Sequence, residues 1–163
     1  MVLDNYSQNS SRIAGGLYNP VILKRFSEVW CAQEQLVLME SFYSVIEKKL
    51  KIQFDFKKPI LRKFFSIEEQ NNWFTASDKE ALSPFLSPNI ITTQFSGIHS
   101  PYNYGEVLHT GYIDTALLLE KYRAYLMEHN LFLCESFDYD SLVIHNEGVS
   151  YKDIQAKNII FAE

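Results

Sequence analysis

Two stretches of this 163-residue chain repeat their apolar residues at helical spacing, and the rest comes as strand-length pieces, loops and one short helix. In residues 27–50, Leu36, Met39, Tyr43, Ile46 and Leu50 recur at alternating intervals of three and four. In residues 115–130, Leu118, Leu119, Tyr122, Tyr125 and Leu126 fall on one stripe, with Asp114 placed to cap it and Asn130 to end it. A 3.6-residue period of this kind specifies an amphipathic helix. Ile52-Gln53-Phe54-Asp55-Phe56 alternates apolar and polar as a half-buried strand does, and residues 59–65 read as its partner. Ser66 with Glu69 three positions on is a capping box, opening a helix to about residue 76.

Residues 78–104, with three of the five prolines, read as loop with short strands, and residues 107–113 as a strand. Three more strand candidates follow the second long helix, at 131–136, 142–145 and 158–162. Asn146-Glu147-Gly148 turns the chain before residues 149–151, so this part reads as a β-meander leading to a last buried strand. Helices and strands therefore mix throughout. The fold class is α/β, or α+β within this segment.

Charge and composition narrow the function classes. The net charge of −5 is uneven: residues 1–100 carry 11 basic and 10 acidic side chains, and residues 101–163 carry 4 and 10. An acidic half argues against general nucleic-acid binding, which depends on neutralising phosphates. One cluster runs the other way, because Lys48, Lys49, Lys51, Lys57, Lys58, Arg62 and Lys63 lie among Phe54, Phe56, Phe64 and Phe65. It reads either as a nucleic-acid patch or as a solvated helix end followed by protective lysines on a strand edge, and the acidic balance favours the second.

Cys31 and Cys134 form no CxxC, which suits reduced, semi-buried thiols. The four histidines show no metal-ligand spacing, so no metal site is expected. His129 reads as a helix-end dipole partner and His109 as an exposed loop residue. No apolar run is long enough to span a membrane, and the N-terminus lacks the pattern of a signal peptide. A soluble, cytoplasmic protein is the expectation.

The informative segment is Asp4 through Pro20. Residues 1–4 read as the end of a strand closing on an acid, the arrangement a dinucleotide-binding fold uses to hold adenosine ribose hydroxyls. Ser10, Ser11 and Arg12 follow in a loop that has room for a short helical turn, with hydroxyls and a guanidinium suited to phosphate. Ala14, Gly15 and Gly16 then remove side chains, so a flat ring could approach the backbone.

Asp4 together with Ser10-Ser11-Arg12-x-Ala14-Gly15-Gly16-Leu17-x-Asn19-Pro20 resembles the segment after the second strand in FAD-dependent oxidoreductases of the D-amino acid oxidase and glycine oxidase superfamily. Thr110-Gly111-Tyr112-Ile113-Asp114 and the helix after it resemble that superfamily's return from substrate domain to FAD domain. Ile159-Ile160-Phe161-Ala162-Glu163 is similar to its closing strand, which ends in Ala-x-Gly. The wording of the first loop is similar to that of a bacterial branch.

The resemblance implies a partial FAD-binding, Rossmann-like domain in residues 1–25 and 110–163. A substrate domain of antiparallel sheet and helices would be inserted at 26–109. It further implies Asp4 at the adenosine ribose, Ser10, Ser11 and Arg12 near the pyrophosphate or ribitol, Ala14, Gly15, Gly16 and Leu17 along the isoalloxazine, and Phe137 near the adenine. The implied cofactor is FAD. The implied reaction is hydride transfer from an amino acid or related amine to flavin, giving an imine that hydrolyses, with oxygen or another acceptor reoxidising the flavin.

Such sites clamp a substrate carboxylate with Arg and line the ring with Tyr. Arg62, Tyr102, Tyr104 and Tyr112 are available, but the sequence does not place them together and assigns no catalytic residue. The superfamily's GxGxxG is absent from the six glycines of this chain. With strand-like residues at both ends, the sequence reads as an internal fragment of a longer flavoenzyme, expected to be inactive by itself. Two alternatives stand beside this reading. One is the same-fold oxidase that modifies uridine in tRNA, with the lysine cluster on RNA. The other is a cofactor-free α+β binding module.

Overall fold

The helical periodicities become real helices with displaced ends. The computed structural model describes residues 1–7 and 10–162; Gln8 and Asn9 of the Ser/Gly loop, and Glu163 of the closing motif, lie outside the described residues. After the strand β1 (Val2–Leu3) come a helical turn α1 (Ser10–Ile13), β2 (Leu17–Tyr18) and a hairpin of β3 (Val21–Ile22) with β4 (Ser27–Glu28). The hairpin takes the residues expected to open the first long helix. Asn19 accepts a hydrogen bond from the Val21 amide and Pro20 O accepts one from Val29, so the chain is committed to a turn there. Helix α2 begins only at Ala32 (Ala32–Leu50), after Cys31 has entered the left-handed region at φ 49°. It stops at Lys51, also left-handed, whose amide bonds Glu47 O. Its half-buried face is the expected Leu36, Met39, Tyr43, Ile46, Leu50 stripe.

The two strands expected to pair with each other do not. Strand β5 (Asp55–Lys57) pairs with β9 (Gly111–Ile113), which also carries β2 on its other edge. Strand β6 (Ile60–Lys63) pairs with β8 (Tyr104–Val107), whose far edge holds β7 (Leu86–Ile91). The registers Phe56↔Tyr112 and Leu61↔Glu106 follow one antiparallel run that is interrupted on both sides, at Lys58-Pro59 and at residues 108–110. Proline has no N–H to donate and His109 turns through φ 56°, so neither strand carries an unbroken ladder across the gap. The buried Thr110 side chain fills it. Its hydroxyl donates to Lys58 O at 2.7 Å and accepts from the Ile60 amide at 3.0 Å.

Above this ladder sits α3 (Ile67–Ser77). Ser66 Oγ accepts from the Glu69 amide at 3.1 Å, as the capping box requires. Glu69 returns a carboxylate oxygen to the Phe65 amide at 2.8 Å, and its other oxygen takes two hydrogen bonds from Arg62. The helix thereby delivers Trp73 into the core, where Phe26 and Phe64 meet its ring edge to face and its indole N–H donates to Ser87 O at 2.9 Å. The ring lies against Gly105 so closely that a Cβ there would stand 2.4 Å from it. Phe64, Ala76, Leu82, Phe85, Leu86 and Val107 complete the buried cluster around it.

Helix α4 (Thr115–Glu128) starts as expected, with Asp114 Oδ1 accepting from the Leu117 amide at 2.9 Å, and closes through Asn130 at φ 55°. Its stripe differs from expectation. Only Leu126 is buried, Leu118, Leu119 and Tyr125 are half-buried, and Tyr122 is exposed.

The structure divides into two units, Ser10–Tyr122 and Met1–Asn9 with Arg123–Glu163. In the smaller, β1 runs parallel to β10 (Phe132–Leu133). A meander of β11 (Leu142–His145), β12 (Gly148–Tyr151) and β13 (Ile154–Ala156) follows. Residues 158–162 were expected to be the last buried strand, but they find no ladder partner among the described residues, and Ile160 is 87 % exposed. An apolar run becomes a strand only where an edge offers it hydrogen bonds. The thiols were expected to be semi-buried; Cys31 is, while Cys134 is exposed and both are free. The whole is a mixed α+β arrangement of small, mostly antiparallel sheets. Among the described residues, no helix is long and apolar enough to cross a membrane.

Two substitutions test this account. Thr110→Val should destabilise the larger unit by about 1–3 kcal/mol in denaturant unfolding, because Lys58 O and the Ile60 amide lose their buried partner; Thr110→Ser should recover most of that. Gly105→Ala should cost about 1–3 kcal/mol by overpacking Trp73, seen as a lower unfolding midpoint.

Candidate functional site

The segment 10–18 is fixed from one side and bare on the other. Ser10, Ser11, Arg12, Ala14, Gly15 and Leu17 are all exposed, Leu17 at 74 %. The α1 turn closes with the Ala14 amide on Ser10 O at 3.0 Å. Ala14 O then accepts from Thr115 Oγ1 at 3.1 Å, and Gly16 O from the Ile113 amide at 3.0 Å. Gly16 is half-buried and has φ +62°, and a Cβ there would lie 2.0 Å from Ile113 O, so only glycine can bring the loop this close to β9. At Gly15 a Cβ would meet nothing within 4 Å among the described residues. The loop therefore presents open backbone, anchored by its own carbonyls.

The β2–β9–β5 sheet behind it has two distinct faces. Leu17, Tyr112 and Phe56 are in register and share one face, where Phe56 and Tyr112 stack with centroids 5.1 Å apart. Tyr18, Gly111 and Lys57 share the other. The Tyr18 ring crosses Gly111, where a Cβ would stand 2.3 Å from the Tyr18 oxygen, and its hydroxyl donates to Asp55 Oδ1 at 2.9 Å. Lys57 Nζ reaches Asp55 Oδ2 at 3.1 Å and Glu40 at 3.2 Å. Burial, then the hydrogen bond to Asp55, pushes the Tyr18 phenol pKa up. Burial by itself would lower the Lys57 pKa, but its bonds to Asp55, Tyr18 and Glu40 outweigh that and hold it well above the usual lysine range. The cluster holds the Lys57 charge between its own counter-ions.

Asp4 and Phe137 belong to the smaller unit and are described within it. Asp4 follows β1, and its amide donates to Leu133 O at 3.1 Å. Its Oδ1 accepts from the Tyr6 amide at 2.8 Å, and its Oδ2 from Arg123, whose guanidinium lies over the Tyr6 ring at 4.2 Å. The Tyr6 amide first, with burial opposing and Arg123 adding to it, holds the Asp4 carboxyl below the ordinary aspartate range. Phe137 is half-buried in an aromatic cluster, stacked on Tyr151 at 4.5 Å and met edge-on by Tyr139 and Phe161.

The residues available for a substrate clamp are not brought together as one. Arg62 spends its guanidinium on Glu69, Tyr102 is held through its carbonyl by Gln70, and Tyr112 is on the other sheet. The Tyr104 hydroxyl is buried without a hydrogen-bond partner among the described residues. Of the basic cluster, Lys57 and Arg62 are both paired to carboxylates. Among the described residues, no three His, Cys, Asp or Glu side chains gather as a metal would need.

Sequence reasoning missed Tyr18, Asp55, Lys57 and Arg123. Asp55 and Lys57 carry a weak signal, as same-face positions of an alternating strand. Tyr18 and Arg123 carry none, because their partners lie 37 and 119 residues away.

The residues fit a flavin in part. The bare, glycine-anchored loop suits a flat ring, whereas Asp4, the expected ribose ligand, has both oxygens engaged. No family model and no solved structure matches the chain.

The Asp4–Arg123 pair gives a pH prediction. A depressed carboxyl pKa contributes stability above the unfolded value, about 3.9, which is lost as pH falls through the folded one. Arg123→Gln should therefore raise the Asp4 pKa in an NMR carboxyl titration and flatten the acid limb of the stability profile. An unchanged Asp4 titration would contradict the pairing.

Proposed function

We propose that the chain is part of an FAD-dependent oxidoreductase acting on an amino acid or related amine, with the 10–17 loop as its flavin-facing segment. One observation carries the reading: Gly16 seats the loop against Ile113, while Gly15 leaves the outer side of the backbone open. Ala14, Gly15, Gly16 and Leu17 would lie along the ring. Ser10, Ser11 and Arg12, exposed on the α1 turn, would face its phosphate-bearing tail. The bound flavin would supply the hydride acceptor, and the protein its position and field.

The parallel β1–β10 pair with Asp4 after its first strand also supports the reading, since doubly wound folds place a ribose-binding acid there. For Asp4 to serve in that way, Arg123 would have to release one carboxylate oxygen. That engagement favours a second reading, a cofactor-free α+β binding module in which Asp4 is a structural ion pair. The uridine-modifying alternative is the weaker, because Lys57 and Arg62 are occupied by carboxylates.

The test is a flavin titration. The GxGxxG that grips the pyrophosphate is absent from these residues, so quenching of FAD fluorescence should saturate weakly, with Kd on the order of 100 µM. Gly15→Leu should abolish that quenching while leaving the unfolding midpoint unchanged, since a Cβ at this exposed position meets no described atom within 4 Å. Absence of saturable quenching by the unsubstituted chain, or identical quenching by Gly15→Leu, would overturn the flavin reading.

A further inference from the structure

Helix α2 has a second apolar face that its heptad-like inner stripe does not use. Val37, Leu38, Phe42 and Val45 are 61 %, 68 %, 57 % and 65 % exposed, although each is a residue that ordinarily seeks burial. At 100° per residue they form one band with Ser41 near its middle, Glu34 at its N-terminal end and Lys48 at its C-terminal end. Four adjoining apolar side chains at this exposure make a continuous patch rather than scattered surface residues.

The ends of the band are complementary to each other. We propose that this face pairs with the same face of a second copy of the chain, the two α2 helices antiparallel about a two-fold axis near Ser41. In that register residue n lies level with residue 82 − n of the other copy, and Leu38 and Phe42 of the two copies come together on one side of the contact. Glu34 meets Lys48 at both ends, Val37 meets Val45, and Ser41 meets itself. The two helix dipoles oppose, and each end-charge also sits favourably on its own helix, Glu34 in the first turn and Lys48 in the last. Ser41 allows close approach at the crossing. Its hydroxyl already donates to Leu38 O at 2.9 Å, so covering it strands no donor. A two-fold contact is isologous and closes at two copies, which satisfies the patch without generating a filament. Pairing of this kind needs no cofactor and stands apart from the flavin reading.

Four side chains per copy fall short of the roughly 800 Å² per partner that a tight interface buries, so the dimer should be reversible, with Kd on the order of tens of micromolar. Sedimentation velocity over a concentration series should show monomer passing to dimer, and Leu38→Lys should hold the chain monomeric. Glu34→Lys and Lys48→Glu should each weaken self-association about tenfold, because each converts both end contacts to repulsion. An equimolar mixture of those two variants should dimerise again, since the mixed pair restores opposite charges at both ends. Far-UV circular dichroism of each variant should match that of the unsubstituted chain, as the positions are on the exposed face. A chain that stays monomeric throughout the series, or whose dimer is indifferent to Leu38→Lys or to the two charge reversals, overturns the proposal.

Discussion

The Thr110 hydroxyl joins two ladders that would otherwise be unrelated sheets. On one side of it β5 pairs with β9 in the sheet that backs the glycine loop, and on the other β6 pairs with β8 under the Trp73 core. Pro59 cannot donate, and His109 turns the opposing strand, so backbone groups at the junction need a partner from a side chain. Threonine supplies an acceptor to Ile60 and a donor to Lys58 from a single buried atom. Once that junction is set, the rest of the larger unit is constrained. Gly111 must lack a side chain because Tyr18 crosses it, Gly16 because β9 lies against it, and Gly105 because Trp73 covers it. Three of the six glycines thus serve close packing onto one interrupted run of strand.

That use of glycine bears on the candidate site. The Thr110-Gly111-Tyr112-Ile113-Asp114 segment, which suggested a flavoenzyme, has a complete structural role in the junction, the Tyr18 crossing and the cap of α4. Gly15 is different, because no neighbour requires it to be glycine. A position free of packing demands, beside one that is tightly packed, is where a ligand can be the reason for the residue. The Asp4 carboxylate presents the opposite case. It follows a strand paired in parallel, and both of its oxygens are engaged in a satisfied ion pair and turn.

Local signals were read well where they act within a few residues. The Ser66 box, the Asp114 cap, the Asn130 terminus and the Asn146-Glu147-Gly148 turn all depend on bonds spanning three or four positions, and each is realised. Local signals are illegible where two tendencies compete or where pairing is remote. Residues 27–28 fit the start of a helical pattern, but Asn19 and Pro20 commit them to a hairpin. Residues 52–56 and 59–65 alternate well enough to pair with each other, yet each finds a better edge 41–58 residues away. For residues 158–162 the alternation of side chains was legible, but the partner edge that would make them a strand was not.

By itself, the sequence determined the mixed helix-and-strand class, the inner stripe of α2, the N-terminal caps of α3 and α4 and the presence of a Ser/Gly loop, because these follow from spacing, backbone preference and side chains reaching their nearest amides. Only the tertiary structure decided which strands meet, which glycines are packed and which is open, and which charges are spent. Arg62 on Glu69, Lys57 on Asp55 and Arg123 on Asp4 look like free cations in the sequence and are counter-ions in the fold. The reason is physical. Periodicity is written along the chain, but a hydrogen bond or an ion pair between residues 37, 50 or 119 positions apart exists only once folding has set both groups within about 3 Å of each other.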